Sequence, residues 1–223
     1  MARQRSVFDI IGPIMIGPSS SHTAGAVRLG ELARAIFGEI PARARILLHG
    51  SFASTGLGHG TDLALAAGLL GMRPDDERIP HAFELAEKAG LDIDFGEVDL
   101  GDAHPNTAVF ELADAAGRSM TIRGSSLGGG DVMVSEIDSY DVDMTGELPL
   151  LIVGHLDRPG QIAAVTSILA QGKVNVASMR VSREHKGAGA LMLIETDVAI
   201  DTETAALIEQ QPGITSVRRI AAI

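Results

Sequence analysis

Leu150-Leu151-Ile152-Val153-Gly154-His155-Leu156-Asp157-Arg158-Pro159-Gly160 is the stretch on which the fold turns. A short, mostly apolar run meets a turn signal, which suits a buried strand better than a helix. Pro159 presets one turn dihedral and Gly160 admits a left-handed one, so the chain changes direction here. Ile162, Val165 and Leu169 follow at helical spacing, up to Gly172. Downstream the pattern predicts a strand over 174–183, a loop at His185-Lys186-Gly187 and a strand over 190–196. Thr202 is placed to cap a helix reaching Gln210. Pro212-Gly213 breaks that helix, and 214–220 is the last strand. The order βαββαβ is the split-βαβ plan: a four-stranded antiparallel sheet with two helices on one face.

Upstream, 139–147 lacks periodicity and carries Asp141, Asp143 and Glu147, so it reads as a linker. The chain then divides into domains at 1–138 and 148–223. In the first, Val27, Leu29, Leu32, Ala33 and Ile36 fall near the 3.6-residue period and Gly38 ends their helix. A short strand over 45–48 leads to a Gly/Ser-rich loop, 54–60. Helices are expected from Thr61 to about Gly71 and from His81 to Lys88. The period then switches to two. Strands over 93–98, 107–112, 118–123 and 132–137 are expected as an antiparallel set, with Asp114-Ala115-Ala116-Gly117 as a hairpin turn. The fold class is α+β.

Bulk properties exclude several functions. The formal net charge of −11 disfavours nucleic acid, whose binding needs Lys and Arg to release counterions. Aromatics are 3%, too few for base-stacking platforms. There is no cysteine, so this chain has no thiolate nucleophile and no Cys-ligated cluster. No apolar run approaches the roughly 18 residues that span a bilayer. The start, Met1-Ala2-Arg3-Gln4-Arg5, lacks a following secretory h-region. A cytoplasmic protein is expected, with no membrane partner.

Four motifs carry the chemistry of the first domain. Gly17-Pro18-Ser19-Ser20-Ser21-His22-Thr23-Ala24-Gly25 sets three hydroxyls and an imidazole before a helix, whose free N–H groups suit a carboxylate. His49-Gly50-Ser51-Phe52-Ala53-Ser54-Thr55-Gly56, with Gly58-His59-Gly60-Thr61-Asp62, frames His59 in glycines. Imidazole titrates near neutrality and so exchanges protons. His104-Pro105-Asn106-Thr107 fixes the approach to a strand. Gly124-Ser125-Ser126-Leu127-Gly128-Gly129-Gly130 offers successive N–H donors as an anion nest. Each motif alone also fits a cap, a turn or a solvated side chain. A hydrolase built on Ser21, His59 and Asp62 is set aside, because no nucleophile elbow of G-x-S-x-G form is expected. No G-x-G-x-x-G dinucleotide fingerprint occurs either.

The second domain resembles an ACT domain, on Leu151 to Leu156, Asp157-Arg158-Pro159-Gly160, Ile162, Val165 and Lys173-Val174-Asn175-Val176. That resemblance implies an amino-acid effector site at Asp157, Gly160, Gln161, Ile162 and Asn175, and self-association. The whole chain resembles the β chains of two-chain, iron–sulfur-dependent L-serine dehydratases. The resemblance is most specific at Ser6-Val7-Phe8-Asp9-Ile10-Ile11-Gly12-Pro13, at 17–25 and at 49–62. The first domain is also similar to the allosteric-substrate-binding domain of some D-3-phosphoglycerate dehydrogenases.

The resemblance implies an L-serine ammonia-lyase subunit, inactive without an α partner that carries a [4Fe–4S] cluster on its cysteines. One iron would act as a Lewis acid on the substrate hydroxyl while a base takes the α-proton. Ser19, Ser20, Ser21, His22 and Thr23 are then expected to hold the carboxylate or approach the cluster. His59 is the first expected base and His49 the second. Ser20, Ser21 and His22 complete the expected catalytic set. Ser125 and Ser126 with Gly128 and Gly129 form a second expected site for L-serine as effector. The competing reading is a stand-alone amino-acid sensor with no catalytic partner.

Overall fold

The structure is a computed structural model and describes residues 14–223. The resemblance at Ser6 to Pro13 therefore lies outside the described residues. The chain divides into two compact units. The first takes residues up to Asp138 with Asp143–Thr145, and the second takes Ser139–Val142 with Gly146–Ile223.

In the first unit a wide turn over Ser20–Ala24 runs into helix α1, Gly25–Phe37. Gly38 closes α1 with φ 100°, the left-handed cap its sequence predicts. Strand β1 is Arg43–Gly50, followed by helices α2, Ser51–His59, and α3, Thr61–Leu69. The loop expected at 54–60 is thus mostly helix. Its glycines lower helix propensity, but Phe52 is fully buried and anchors the segment. A single 3₁₀ turn, Ile79–His81, precedes α4, Ala82–Lys88.

Strands β2, Asp92–Glu97, β3, Asn106–Ala113, β4, Ser119–Gly128, β5, Asp131–Ile137, and β6, Tyr140–Met144, complete the sheet. Their order is β2-β1-β3-β4-β5-β6. The expected antiparallel set is corrected at one edge: β1 and β2 run parallel, Arg43 opposite Asp92. A parallel pair needs a crossover, and α2, α3 and α4 supply it. β6 also corrects the linker, since Tyr140–Met144 is a strand with Val142 and Met144 buried.

Helices α1 and α3 pack against each other, and α1 packs on β4 and β5. Leu29, Leu32, Ile46, Leu65, Phe110 and Ile122 are fully buried at the centre. Burying such a side chain contributes about 1.5–3 kcal/mol, so this core fixes the α1 N-terminus over the ends of β3 and β4.

The second unit keeps the predicted order. β7 is Leu150–Leu156, α5 is Gln161–Gln171, β8 is Val176–Arg183 and β9 is Gly189–Thr196. Helix α6, Thr202–Glu209, and β10, Ile214–Ile220, finish it. The sheet order is β10-β7-β9-β8, antiparallel throughout. Leu151, Val153, Val165, Leu169, Met192, Ile194 and Ile208 form its core. The α6 cap is Asp201, not Thr202: its carboxylate accepts the Thr204 N–H at 2.6 Å. Among the described residues no helix is long and apolar enough to cross a membrane.

Candidate active site

The four motifs of the first unit converge on one end of its sheet. The turn at Ser20–Ala24 is wider than an α-helical one, because Ser20 carbonyl accepts the Gly25 N–H, five residues on. Such π-type turns re-aim side chains and often mark functional sites. Here the turn is capped by Ser19, whose Oγ accepts the His22 N–H at 3.1 Å. It drives the His22 ring inward, to 9% exposure.

Helix α2 meets that ring. His22 Nε2 lies 3.1 Å from Thr55 Oγ1 and 3.2 Å from Ser51 Oγ. Its Nδ1 lies 3.2 Å from Ser21 Oγ, which lies 3.4 Å from Ser19 Oγ. Phe52 packs edge-on at 5.3 Å between centroids, and the His59 ring lies tilted over His22 at 4.9 Å. Gly50 starts this helix with φ 57°, and a Cβ there would stand 2.8 Å from the Pro105 backbone. Only glycine makes the turn from β1 into α2 without strain.

Burial pushes the His22 pKa below its ordinary value, and the neighbouring His59 adds to that. The contact from Ser51 partly opposes them. His22 is therefore neutral at neutral pH, and one of its nitrogens keeps a lone pair. His59 is more open. Its Nδ1 lies 3.0 Å from the Thr55 carbonyl, an oxygen that only accepts. Nδ1 must carry the hydrogen, so in the neutral ring it is Nε2 that holds the lone pair.

The other two motifs close the same end. Asn106 Nδ2 donates to the Ser126 carbonyl at 3.4 Å. Thr107 Oγ1 donates to the His104 carbonyl at 2.5 Å and accepts from Ser125 Oγ at 2.7 Å. Ser126 faces Gly25 so closely that a Cβ there would collide with its Oγ. The Oγ of Ser126 and the Oγ1 of Thr23 and of Thr61 are buried without partners.

Ser19, Ser21, His22 and His59 are thus in one network, with Ser20 in its backbone and Ser125 and Ser126 beside the helix start. His49 is not part of it. Its Nδ1 lies between Val98 carbonyl at 3.3 Å and Leu100 N–H at 3.2 Å, which ties it to the segment after β2. Gly128 ends β4 with φ 98°, Gly129 and Gly130 form the tight β4–β5 turn with φ 66° and 89°, and Gly130 carbonyl accepts from Arg28. The sequence expectation is corrected in one respect: the letters G-x-S-x-G do occur, at Gly124-Ser125-Ser126-Leu127-Gly128. They lie within β4, so no strand-to-helix elbow forms. Sequence reading missed Ser51 and Thr55 as site residues. Their i, i+4 spacing on a helix was the available signal, hidden by reading the segment as a loop.

In the second unit, Gly160 precedes α5 with φ 93°. Asp157 accepts from Gly187 N–H and from Arg183, both at 3.0 Å, and these hold its carboxyl below the usual range. Asn175 donates to Asp197 at 2.7 Å. Gln161 Nε2 donates to Pro212 carbonyl at 2.9 Å, but its Oε1 is buried without a partner. His155 Nδ1 donates to Leu156 carbonyl at 2.9 Å, leaving a buried, unpartnered Nε2. Ile162 is exposed.

Comparison with known proteins agrees with both units. The family "Serine dehydratase beta chain" matches residues 6–137, and "ACT domain" matches residues 150–213. The chain is 45% identical over 219 residues to the "Probable L-serine dehydratase, beta chain" of Bacillus subtilis (strain 168), covering 98% of this chain and 99% of that one. It is 40% identical over 179 residues to the "L-serine dehydratase, beta chain" of Peptoniphilus asaccharolyticus, covering 80% and 81%. It is 30% identical over 125 residues to the D-3-phosphoglycerate dehydrogenase of Methanocaldococcus jannaschii, covering 56% of this chain and 24% of that enzyme. An end-to-end match on both chains, with the histidine and hydroxyl motifs drawn into one site, places this chain in the serine dehydratase β chain family.

Proposed function

We propose that this chain completes and regulates the active site of an L-serine dehydratase, together with an α partner that carries the [4Fe–4S] cluster. This chain's own residues do not fit the cluster. It has no cysteine, and among the described residues no three His, Asp or Glu side chains group as metal ligands. Its contribution is to bind, orient and move a proton.

The α-proton of an amino acid is weakly acidic, so the base must be well placed and the substrate firmly held. His59 is the base in this reading. The observation that carries it is the Nδ1 hydrogen bond to Thr55 carbonyl, which leaves Nε2 free to accept. The hydroxyls of Ser19, Ser20 and Thr23 and the N–H groups of the turn hold the carboxylate. Loss of the α-proton and of water gives aminoacrylate, which tautomerises and hydrolyses to pyruvate and ammonia. The test is the complex assembled with His59→Ala. Turnover is expected to fall about 10²–10⁴-fold with cluster content unchanged. Near-normal turnover with an intact cluster would sink the assignment.

The second unit is proposed as the effector module, with L-serine at the start of α5. The unpartnered buried atoms of His155 and Gln161 support that location. Calorimetry of the whole chain with L-serine tests it. An absence of binding outside the first unit's site, together with unchanged kinetics in Asn175→Ala, would leave the module with association alone.

A further inference from the structure

We propose that Thr55 is a positioning residue that fixes the tautomer of His22 and so turns Ser21 into a hydrogen-bond acceptor facing the substrate's α-ammonium group. This rests on the first unit being the serine site.

The hydrogen positions follow by elimination. Thr55 Oγ1 lies 2.8 Å from the Ser51 carbonyl, four residues back on the same helix. A carbonyl only accepts, so the single hydroxyl hydrogen of Thr55 goes there. Thr55 Oγ1 then only accepts, with His22 Nε2 at 3.1 Å and Ser51 Oγ at 3.3 Å as the neighbours that face it. A bare Nε2 would set its lone pair against those of Thr55 Oγ1, so Nε2 carries the hydrogen, Nδ1 carries the lone pair, and Ser51 Oγ is left to donate to Thr55. The group beside Nδ1 is Ser21 Oγ at 3.2 Å, so the Ser21 hydrogen points at the ring. Ser21 is left with lone pairs on its open side. Ser19 Oγ at 3.4 Å approaches the same oxygen.

The consequence is a division of labour inside one serine run. A carboxylate needs donors, and Ser21 has none to spare. An ammonium group needs acceptors, which Ser21 supplies. Thr55 also presents its carbonyl to His59 Nδ1, so one residue sets both imidazoles in opposite tautomers. Replacing Thr55 by valine keeps its shape and removes the acceptor. Ser51 Oγ, 3.2 Å from Nε2, is then free to donate to it. The ring adopts the Nδ1–H form, donates to Ser21 and withdraws the acceptor from substrate.

The experiment is ¹⁵N imidazole NMR on the full chain, with His22 assigned by its loss in His22→Asn, alongside kinetics of the assembled complex. The wild type is expected with a protonated Nε2 and a bare Nδ1 at His22. Thr55→Val is expected to move His22 toward the Nδ1–H form and to raise KM for L-serine about tenfold, the loss of one hydrogen bond to a charged group. Thr55→Ser is expected to keep the wild-type spectrum, with KM within about twofold. A wild-type His22 in the Nδ1–H form overturns the proposal whatever the variants do. So does an unmoved tautomer or an unchanged KM in Thr55→Val. Near-normal turnover in His59→Ala instead overturns the underlying site reading, independently of the His22 spectrum.

Discussion

The two units hold their polar groups in opposite ways. In the first, hydroxyls and imidazoles bond chiefly to one another, and the chain of contacts ends at the open Nε2 of His59. In the second, Asp157 is held by Arg183 and Gly187, and Asn175 by Asp197. The first unit therefore resembles a preorganised reaction site, whose groups are oriented toward a reactant. In the second, a ligand reaching Asp157 or Asn175 would have to displace those contacts. Residue type alone would have assigned ligands equally to both units.

The first unit's site depends on the helix pair beneath it. Gly68 on α3 lies against Val27 carbonyl of α1, and any Cβ there would collide with backbone. Gly68→Ala is expected to cost about 1–3 kcal/mol, as overpacking does, and to displace the turn that carries His22. Thermal melting of the variant checks this. A Tm equal to wild type would show that α1 does not fix the site.

A smaller effect is expected in the second unit. Asp201→Ala removes the cap of α6 and is expected to cost about 1 kcal/mol. Denaturant unfolding measures it. Turnover at saturating serine should not change, because the cap lies outside the unit proposed to carry the proton chemistry. A parallel fall in turnover would break the separation between the units.

The smallest effect concerns pH. Burial and His59 lower the His22 pKa below 6.5 in the folded chain. The unfolded chain then binds the proton more readily, so stability is full above pH 6.5 and falls as pH drops toward the folded value. His22→Gln lacks this dependence. Comparing Tm between pH 7.5 and 5.5 (about a unit either side of an unperturbed imidazole) should show a steeper loss in the wild type than in the variant. Equal slopes would mean that the ring is not held neutral by its surroundings.

Much of this was legible in the sequence, but unevenly. The βαββαβ unit could be read because apolar runs, Pro159-Gly160 and Pro212-Gly213 punctuate it at every change of direction. The first unit's strands were legible from their alternation, while the parallel β1–β2 pairing was not, since pairing is a long-range choice that alternation does not encode. The helical state of 51–59 was hidden by Gly56 and Gly58, whose low propensity is overridden by burial of Phe52. That one misreading concealed Thr55 and Ser51. The strand at Tyr140–Met144 was hidden by its acidic residues, which alternate with buried Val142 and Met144.

The contrast between the units is tested most directly by measuring turnover and cluster content of the complex assembled with His59→Ala and, in parallel, with Asn175→Ala. The account predicts a loss of about 10²–10⁴-fold for His59→Ala with cluster retained. It predicts unchanged turnover at saturating serine for Asn175→Ala, with any effect confined to the response to effector. Near-normal turnover in His59→Ala, or an equal loss in both variants, would contradict it.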